Sequence, residues 1–232
     1  MGKTLWQRWT EKAPKPVEYN YYDPLGVKIG GSITIDELDY RDLPFFVKEI
    51  REYKRPELGD QYAFTDYVLL ARPIGKEDKW VRIRCFNLPD SKDGLPYQPC
   101  LMEQYDQLAY DENPQGDYQG LFNAVKDTTG KFDINTPQES VEFYRPVKAG
   151  GGYQLSSYKA QVTIITECLK EGVADQAKLQ KEEQEYWNYS RTTKDEANQD
   201  YEEYVFVELN TDNGWMLVWR GIEMNPHHVI LM

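Results

Sequence analysis

A pattern of three strand-like runs occurs twice in this chain, once in each half, and it limits the possible folds more than any other feature. In each copy an acidic residue and a tyrosine open the second run, and a tryptophan opens the third. The first copy comprises residues 50–55, 66–71 and 80–84, and the second comprises residues 187–191, 203–207 and 215–219. A repeated supersecondary unit of this kind predicts two related antiparallel β-meanders.

Two such meanders predict a mainly β protein, in which antiparallel sheets form a sandwich or one barrel-like sheet with a few short helices at the margins. Aromatic residues make up 14% of the chain, and they favour strands whose two faces have different surroundings. Further strands are expected at residues 45–53 and 158–169. The Asn213-Gly214 pair favours a tight hairpin turn. The apolar end, residues 229–232, should be a paired strand, since an unpaired one invites aggregation.

The third runs of the two copies differ in polarity. Arg82 and Arg84 share one face of the first, opposite Val81 and Ile83, which predicts a half-buried strand with a cationic outer stripe. Residues 215–219 are instead apolar on both faces. We therefore expect the second copy to lie centrally and the first to lie nearer an edge of the sheet.

The remaining segments suggest how the chain is organised. Residues 1–23 resemble an appended N-terminal arm, and residues 24–232 a single β-rich domain. Its two halves, about 24–90 and 153–232, are joined by an irregular excursion at about 91–152, where Pro, Gly, Asp and Asn interrupt every apolar run. Short helices or helical loops are predicted at residues 4–11, 101–110, 120–126 and 172–185.

Charge and composition exclude several classes of protein. The net charge is −12, from 27 Lys and Arg against 39 Asp and Glu, which disfavours DNA, RNA and anionic membrane surfaces as partners. No run reaches the roughly 20 apolar residues that span a bilayer, and the N-terminus lacks the apolar core of a signal peptide. Cys85, Cys100 and Cys168 are odd in number and scattered, as reduced thiols are. These features predict a cytoplasmic protein without a transmembrane segment.

No motif points to catalysis or to a cofactor. His227 and His228 are the only histidines, and neighbours on a strand point to opposite faces, so they do not favour one metal ion. A catalytic pair of a cysteine with either histidine stays open, although no local signature supports it. Acidic clusters such as residues 182–185 arise readily in a chain with 39 acids, so they are weak evidence for paired catalytic carboxylates. We predict no catalytic, metal-binding or cofactor-binding residue.

The candidate interaction residues are aromatic or cationic. Trp6 and Trp9 lie three residues apart, so one helix face would carry both. An arm folded back onto the domain and an amphipathic anchor for a partner or a membrane interface are both compatible with this spacing. Large aromatics beside charge are typical of interface anchors, so the candidate contact residues are Trp6, Trp9, Arg82 and Arg84.

Several segments resemble a known bacterial family. Residues 23–38, DPLGVKIGGSITIDEL, resemble the opening of the YjfK-like proteins, a domain of unknown function. Residues 186–191, 203–207 and 220–222 are similar to the C-terminal part of that family. The family has no established activity or catalytic residues to transfer. The resemblance implies genes placed near those of phage-shock-protein-A-like membrane-remodelling proteins, and hence an accessory role in a membrane-stress system.

Three functional hypotheses follow. The first is a non-enzymatic binding or adaptor protein that works with a membrane-associated protein partner. The second is a small-ligand binder or an enzyme, with a pocket for a sugar or a polyamine between the two halves or under the excursion. The third is a structural subunit of a larger assembly. Neither the identity of the ligand nor the oligomeric state follows from the residues.

Overall fold

The structure is a computed structural model that describes twelve segments of the chain. They are residues 23–37, 40–41, 43–56, 63–73, 75–87, 96–109, 130–135, 140–154, 157–170, 173–194, 198–210 and 215–232. The described regular structure consists of twelve strands and one turn of 3-10 helix at Pro226–His228. The strands are β1 (Ser32–Ile35), β2 (Pro44–Lys54), β3 (Phe64–Ala71), β4 (Lys79–Asn87), β5 (Tyr97–Ala109), β6 (Lys131–Asn135), β7 (Ser140–Tyr144), β8 (Tyr158–Lys170), β9 (Val173–Lys194), β10 (Asp200–Asn210), β11 (Trp215–Glu223) and β12 (Val229–Leu231).

Eight of these strands form a closed antiparallel barrel. Hydrogen-bonded neighbours follow the order β2-β3-β4-β5-β11-β10-β9-β8, and β8 pairs with β2 to close the ring. Closure removes the exposed sheet edges that an open sheet would present. The predicted mainly β fold with antiparallel meanders in a barrel-like sheet is therefore confirmed.

The two meanders meet along two seams. Strands β2–β5 form the first meander and β8–β11 the second, and the opening strands pair with each other, as do the closing strands. The two predicted copies correspond to β2–β4 and β9–β11, and both lie within the closed ring. The prediction that the first copy lies nearer an edge is therefore wrong.

Two predicted helices are strands. Of residues 101–110, the described residues 101–109 fall on β5, where Cys100 and Met102 share one face and Leu101 lies on the other. Residues 172–185 fall mostly on β9, which pairs with β8 and β10. Pairing in the barrel outweighs the helix propensity of these polar residues. The other two predicted helices, at residues 4–11 and 120–126, lie outside the described residues, and the excursion contributes β5, β6 and β7.

Apolar side chains cover the outside of the barrel, where two further layers bury them. On one side β1 packs Ile33 and Ile35 against Val47, Leu69 and Ile83 of the barrel. The end of the chain, β12, pairs with β1, as predicted for the apolar C-terminus. Burying each such side chain contributes about 1.5–3 kcal/mol, so this outer layer is a major source of stability.

The hairpin of β6 and β7 forms the second outer layer. Phe132 and Phe143 of this hairpin pack against Val205, Val207 and Val218 of the barrel. Because both outer faces are apolar and covered, the inward faces of the same strands carry the polar residues. The period of two along each strand therefore separates an apolar exterior from a polar and aromatic lumen.

Gly221 allows β11 to approach β5 closely. A Cβ atom at this position would lie 2.7 Å from Cys100 Sγ and 2.7 Å from Met102 Cγ, and both of these side chains are fully buried. We expect Gly221→Ala to lower the free energy of unfolding by about 1–3 kcal/mol, since a packed core resists added volume. Urea denaturation measures this change. Gly150→Ala is the control, because open space surrounds Gly150, and equal stability of the two variants would contradict the packing argument.

Candidate functional site

A pocket of about 300 Å³ opens at one mouth of the barrel. Its lining comes from both halves of the chain, with Arg55 and Phe86 from the first and Asn188, Tyr204 and Phe206 from the second. These residues meet because β4 joins β10 through β5 and β11 in the closed ring. The pocket therefore depends on long-range pairing that no single segment of the chain contains.

Three aromatic rings form the apolar floor of this pocket. The centroid of the Phe86 ring lies 5.8 Å from that of Tyr204 and 6.0 Å from that of Phe206. The Tyr204 and Phe206 rings stack at 5.8 Å, because alternate residues of β10 point into the barrel. Burial raises the pKa of the Tyr204 hydroxyl, with smaller contributions from Cys100 and Glu223. The hydroxyl therefore stays protonated at neutral pH and can donate a hydrogen bond.

Asn188 supplies a buried polar atom at the pocket wall. It lies opposite Phe206 in the pairing of β9 with β10. Its Oδ1 atom is buried and has no hydrogen-bond partner among the described residues. A buried acceptor left without a partner costs about 1–3 kcal/mol, so a bound molecule that donates to it would recover that energy.

Arg55 gives the pocket its charge. Among the described residues of the lining, it carries the only charge. Its guanidinium carbon lies 4.7 Å from the centroid of the Tyr158 ring and 5.9 Å from that of Tyr186. Guanidinium groups stack favourably on aromatic faces, so the two rings hold the cation at the pocket mouth.

A buried ionic network lies in the lumen beside the pocket floor. Arg84 Nε and Nη2 donate to the two carboxylate oxygens of Asp66 at 2.7 and 2.8 Å, and Nη2 also donates to Glu208 Oε1 at 2.8 Å. Arg82 Nη1 donates to both oxygens of Glu208 at 2.8 and 2.9 Å and to Asp66 Oδ2 at 3.0 Å. All four side chains are at most 2% exposed.

Aromatic rings surround the two arginines of this network. The guanidinium carbon of Arg82 lies 3.9 Å from the Trp219 ring centroid. That of Arg84 lies 4.2 Å from the Phe206 centroid and 4.3 Å from the Phe64 centroid. Phe206 therefore touches the ionic network and lines the pocket, so the two features share a side chain.

The network controls the ionisation of Glu208. Burial alone would raise the pKa of this carboxyl, but the positive charges of Arg82, Arg84 and Arg51 outweigh burial. Together they lower the pKa from 4.5 to about 2. Glu208 is therefore ionised at neutral pH despite its complete burial, which is possible for a buried charge only when it is paired.

The structure places the predicted contact residues differently from the prediction. Trp6 and Trp9 lie outside the described residues. Arg82 and Arg84 lie on the inward face of β4 and are 1% and 0% exposed, so the predicted cationic outer stripe is wrong. The alternation was read correctly, but the apolar face of β4 points outward because β1 and its neighbours cover it.

His227, His228, Cys85 and Cys100 do not line the pocket, and the side chain of Cys168 lies outside the described part of the chain. His227 and His228 lie on the 3-10 turn rather than on a strand, and His228 Nδ1 lies 2.8 Å from Glu37 Oε1. Cys85 and Cys100 are buried free thiols, and burial raises the pKa of both. Within the described part of the chain, no group of three or more His, Cys, Asp or Glu side chains is placed to hold a metal ion.

A row of paired residues away from the pocket crosses strands β1 to β4 and starts beside the end of the chain. Met232 N–H donates to Ser32 O, and Ser32 lies opposite Phe46, Phe46 opposite Leu70, and Leu70 opposite Trp80. Three apolar members of the row are exposed, with Met232 70%, Phe46 42% and Trp80 51% exposed, whereas Leu70 is buried. Rows of this kind are more frequent at interaction surfaces than on the rest of a protein surface.

The pocket residues were missed in the sequence because no local motif marks them. The alternation of residues 203–207 places Tyr204 and Phe206 on one face, which is a usable signal. Arg55 and Asn188 carry no such signal, since each lies next to the aromatic floor only after the barrel closes. Recognising Arg55 and Asn188 as neighbours requires the order of the strands around the barrel, and the sequence does not give that order.

No protein-family model, curated protein or solved structure matches this chain. The resemblance to the YjfK-like family therefore stays a prediction. In the part of the chain that the structure describes, no helix is both long and apolar enough to cross a membrane. The site consequently has to be interpreted from its own geometry.

Proposed function

We propose that this protein is a non-enzymatic binding protein that holds a small ring-bearing organic molecule in the mouth of its barrel. The observation that carries the proposal is the aromatic floor of the pocket together with the buried Asn188 Oδ1, which accepts no hydrogen bond from any described residue. Small-molecule sites are typically concave and mostly apolar, with a few polar groups that fix orientation. The pocket has this composition.

Binding is favoured over catalysis by the chemistry of the lining. The described lining residues include no histidine, carboxylate or thiol. These groups are the most frequent general bases and nucleophiles of enzymes. The residues present are suited to stacking, hydrogen bonding and charge pairing, which are the interactions of a binding site.

The residues of the lining also favour one of the two ligand classes suggested by the sequence, a sugar or a polyamine, over the other. A polyamine is cationic and is bound best by carboxylates, whereas the described residues of the lining include none. A sugar-like or aromatic ring can pack on Phe86, Tyr204 and Phe206 and donate to Asn188. A ring compound is therefore the better supported ligand.

Side-chain amide spectra of the ¹⁵N-labelled protein test the proposal. The probes are phenol, 4-hydroxybenzamide, 4-hydroxybenzoate, D-glucose, D-glucuronate and spermidine. We expect at least one ring compound to shift the Asn188 and Gln98 amide signals with a dissociation constant of about 1 mM or tighter, as suits a small ligand. Spermidine should leave these signals unchanged.

A pair of variants on one strand provides the control. Ser190→Phe places a ring inside the pocket and should abolish the shifts, because Ser190 lines it. Thr192→Phe adds the same ring two residues along β9 at an exposed position outside the lining, and should bind as the unmodified chain does. Absence of binding by every ring compound, or equal binding by both variants, would contradict the proposed function.

The adaptor role with a membrane-associated protein partner stays a prediction. The exposed row of Met232, Phe46 and Trp80 is compatible with it, since apolar surface rows favour partner contacts. The third hypothesis, a structural subunit, also stays a prediction. Neither role competes with a ligand in the pocket, which lies at the barrel mouth and is lined by different residues.

A further inference from the structure

We infer that the bound molecule is a planar aromatic compound whose hydrogen-bonding groups lie along one edge, as they do in aromatic amides and in nucleobases. This inference rests on the binding function proposed above and narrows its ligand class. The observation that carries it is the placement of two strips of side chains next to each other in the pocket, an aromatic strip on β10 and a polar strip on β9.

The pairing of β9 with β10 sets the two strips side by side. Asn188 lies opposite Phe206, and Ser190 lies opposite Tyr204. These four residues all line the pocket. Alternate residues of a strand share a face, and opposite residues of antiparallel strands have Cα atoms about 4.5–5.5 Å apart. A ring that packs on Tyr204 and Phe206 therefore turns one edge towards Asn188 and Ser190.

The aromatic strip favours a flat ring. The Tyr204 and Phe206 rings are stacked, with an angle of 21° between their planes. The Phe86 ring is tilted by 46° relative to Tyr204 and by 36° relative to Phe206. Aromatic rings gain energy from offset-stacked and edge-to-face contacts with one another. A planar ring can extend the stack and meet Phe86 at an angle, whereas a puckered ring makes neither contact.

The polar strip and the Tyr204 hydroxyl together offer both an acceptor and donors. Asn188 Oδ1 is buried and accepts no hydrogen bond from any described residue. The Tyr204 hydroxyl stays protonated because its pKa is raised, chiefly by burial, so it can donate. The Ser190 hydroxyl can donate or accept. A ring edge that carries a donor beside an acceptor matches these groups, and amides and nucleobases have such edges.

Other polar groups of the pocket are already engaged. On β5, Gln98 Nε2 donates to Met224 O at 2.8 Å. The Tyr189 hydroxyl accepts from Arg145 Nε at 3.2 Å and from Nη2 at 3.0 Å. A sugar carries hydroxyls around its whole rim, and each hydroxyl that is buried without a partner costs free energy. The described lining therefore suits a ring that is polar along one edge better than a ring that is polar all round.

Matched compounds titrated into the unmodified chain test the inference. Binding is followed through the side-chain amide signals of Gln98, which lines the pocket. Benzamide and acetophenone have the same shape but differ in the amino donor, as do adenine and 6-methylpurine. In at least one pair the compound with the donor should bind roughly tenfold tighter or more, since its analogue leaves Asn188 Oδ1 without a partner. The pair that shows this preference identifies the compound as an aromatic amide or a nucleobase.

A second comparison tests whether the ring has to be flat. Cyclohexanecarboxamide carries the amide of benzamide on a puckered ring. It should bind about fivefold more weakly than benzamide, because it cannot extend the aromatic stack. D-Glucose, which is puckered and polar all round, should bind more weakly than both benzamide and adenine.

Substitutions assign the donor preference to Asn188. Asn188→Leu keeps a similar volume but removes the amide, so the two compounds of each pair should bind within about twofold of each other. Tyr204→Phe keeps the stack but removes the hydroxyl, and it should weaken both compounds alike, since both retain an acceptor. Gln161→Leu is the matched control, because it removes an exposed side-chain amide on β8 outside the described lining, and it should retain the whole preference.

The outcomes separate this inference from the proposed function. If the analogues without the donor bind as tightly, if cyclohexanecarboxamide or D-glucose binds as tightly as the aromatic compounds, or if Asn188→Leu keeps the preference, the inference is wrong while the binding function stands. If no ring compound binds at all, the binding function itself is wrong. Thermal unfolding establishes that each variant is folded, and the titrations of the unmodified chain decide the inference where a variant is not.

Discussion

Glu208→Gln should lower the free energy of unfolding by about 3–5 kcal/mol, the cost of leaving a buried charge without its partner. Glu208 accepts hydrogen bonds from Arg82 Nη1 and Arg84 Nη2 inside the barrel. Glutamine keeps the shape of the side chain but removes its charge, so the two guanidinium groups would share only Asp66. The position is sensitive for a second reason, because Glu208 lies in the second half of the chain and both arginines lie in the first.

Denaturation in urea, followed by circular dichroism, measures this loss of stability. Glu183→Gln is the matched control, since Glu183 also lies on a barrel strand but pairs with Lys159 at 3.8 Å with both side chains about 70% exposed. Exposed pairs contribute little, so this control should change stability by less than about 1 kcal/mol. Similar effects of the two substitutions would show that the lumen network does not hold the halves together.

The stability of the barrel should fall steeply as the pH is lowered from about 4.5 towards about 2, the ordinary and the folded-state pKa values of Glu208. Its pKa is lower in the folded state than in the unfolded chain, so folding favours the ionised form. The resulting stabilisation is complete above the unfolded value and is lost as the pH falls through the folded value. A decrease from 4.5 to about 2 corresponds to about 3 kcal/mol.

Urea midpoints measured at several pH values between about 6 and about 2.5 test this dependence. Other carboxylates also become protonated in this range, so the comparison that matters is between the unmodified chain and Glu208→Gln. The variant lacks the titrating group, and its stability should therefore change less with pH. Parallel curves for the two proteins would contradict the assignment of this stabilisation to Glu208.

The ionic network also explains why the strands pair in one register. Asp66, Arg82 and Arg84 point into the lumen together with Glu208, whereas their strand neighbours face the apolar outer layers. A slip of one residue would turn the charges towards those layers and the apolar side chains into the lumen. Buried ionic groups are weak contributors to stability compared with apolar ones, so we regard register as their main effect here.

The repeated pattern shows where prediction from the sequence succeeded and where it could not. The strands of both copies were expected and are present. The equivalent tyrosines, however, point to opposite sides: Tyr67 packs outside with Leu25 and donates to Asp23, whereas Tyr204 lines the pocket inside. The two copies therefore share a strand pattern, but their equivalent tyrosines point to opposite sides of the sheet. Aligning the two sequence segments does not reveal that difference.

The candidate site was less predictable than the fold. Arg82 and Arg84 were noticed for their alternation with Val81 and Ile83 but were assigned to the wrong side. Charged residues are rarely buried unless paired, so the solvent side was the reasonable expectation for a single strand. Two carboxylates pair with these arginines in the lumen, and one of them, Glu208, comes from the far half of the chain.

The sequence by itself determined part of the local structure of this protein: the strands of the two repeated copies, and which residues of each strand share a face. These follow from the geometry of the extended chain, in which successive side chains alternate. Only the tertiary structure decided which face is the inside. That choice depends on the pairing of β2 with β8 and of β5 with β11, and on the outer layers that bury the apolar face. The pocket, the ionic network and the position of Arg55 all follow from that closure, because each combines residues that are distant in the chain.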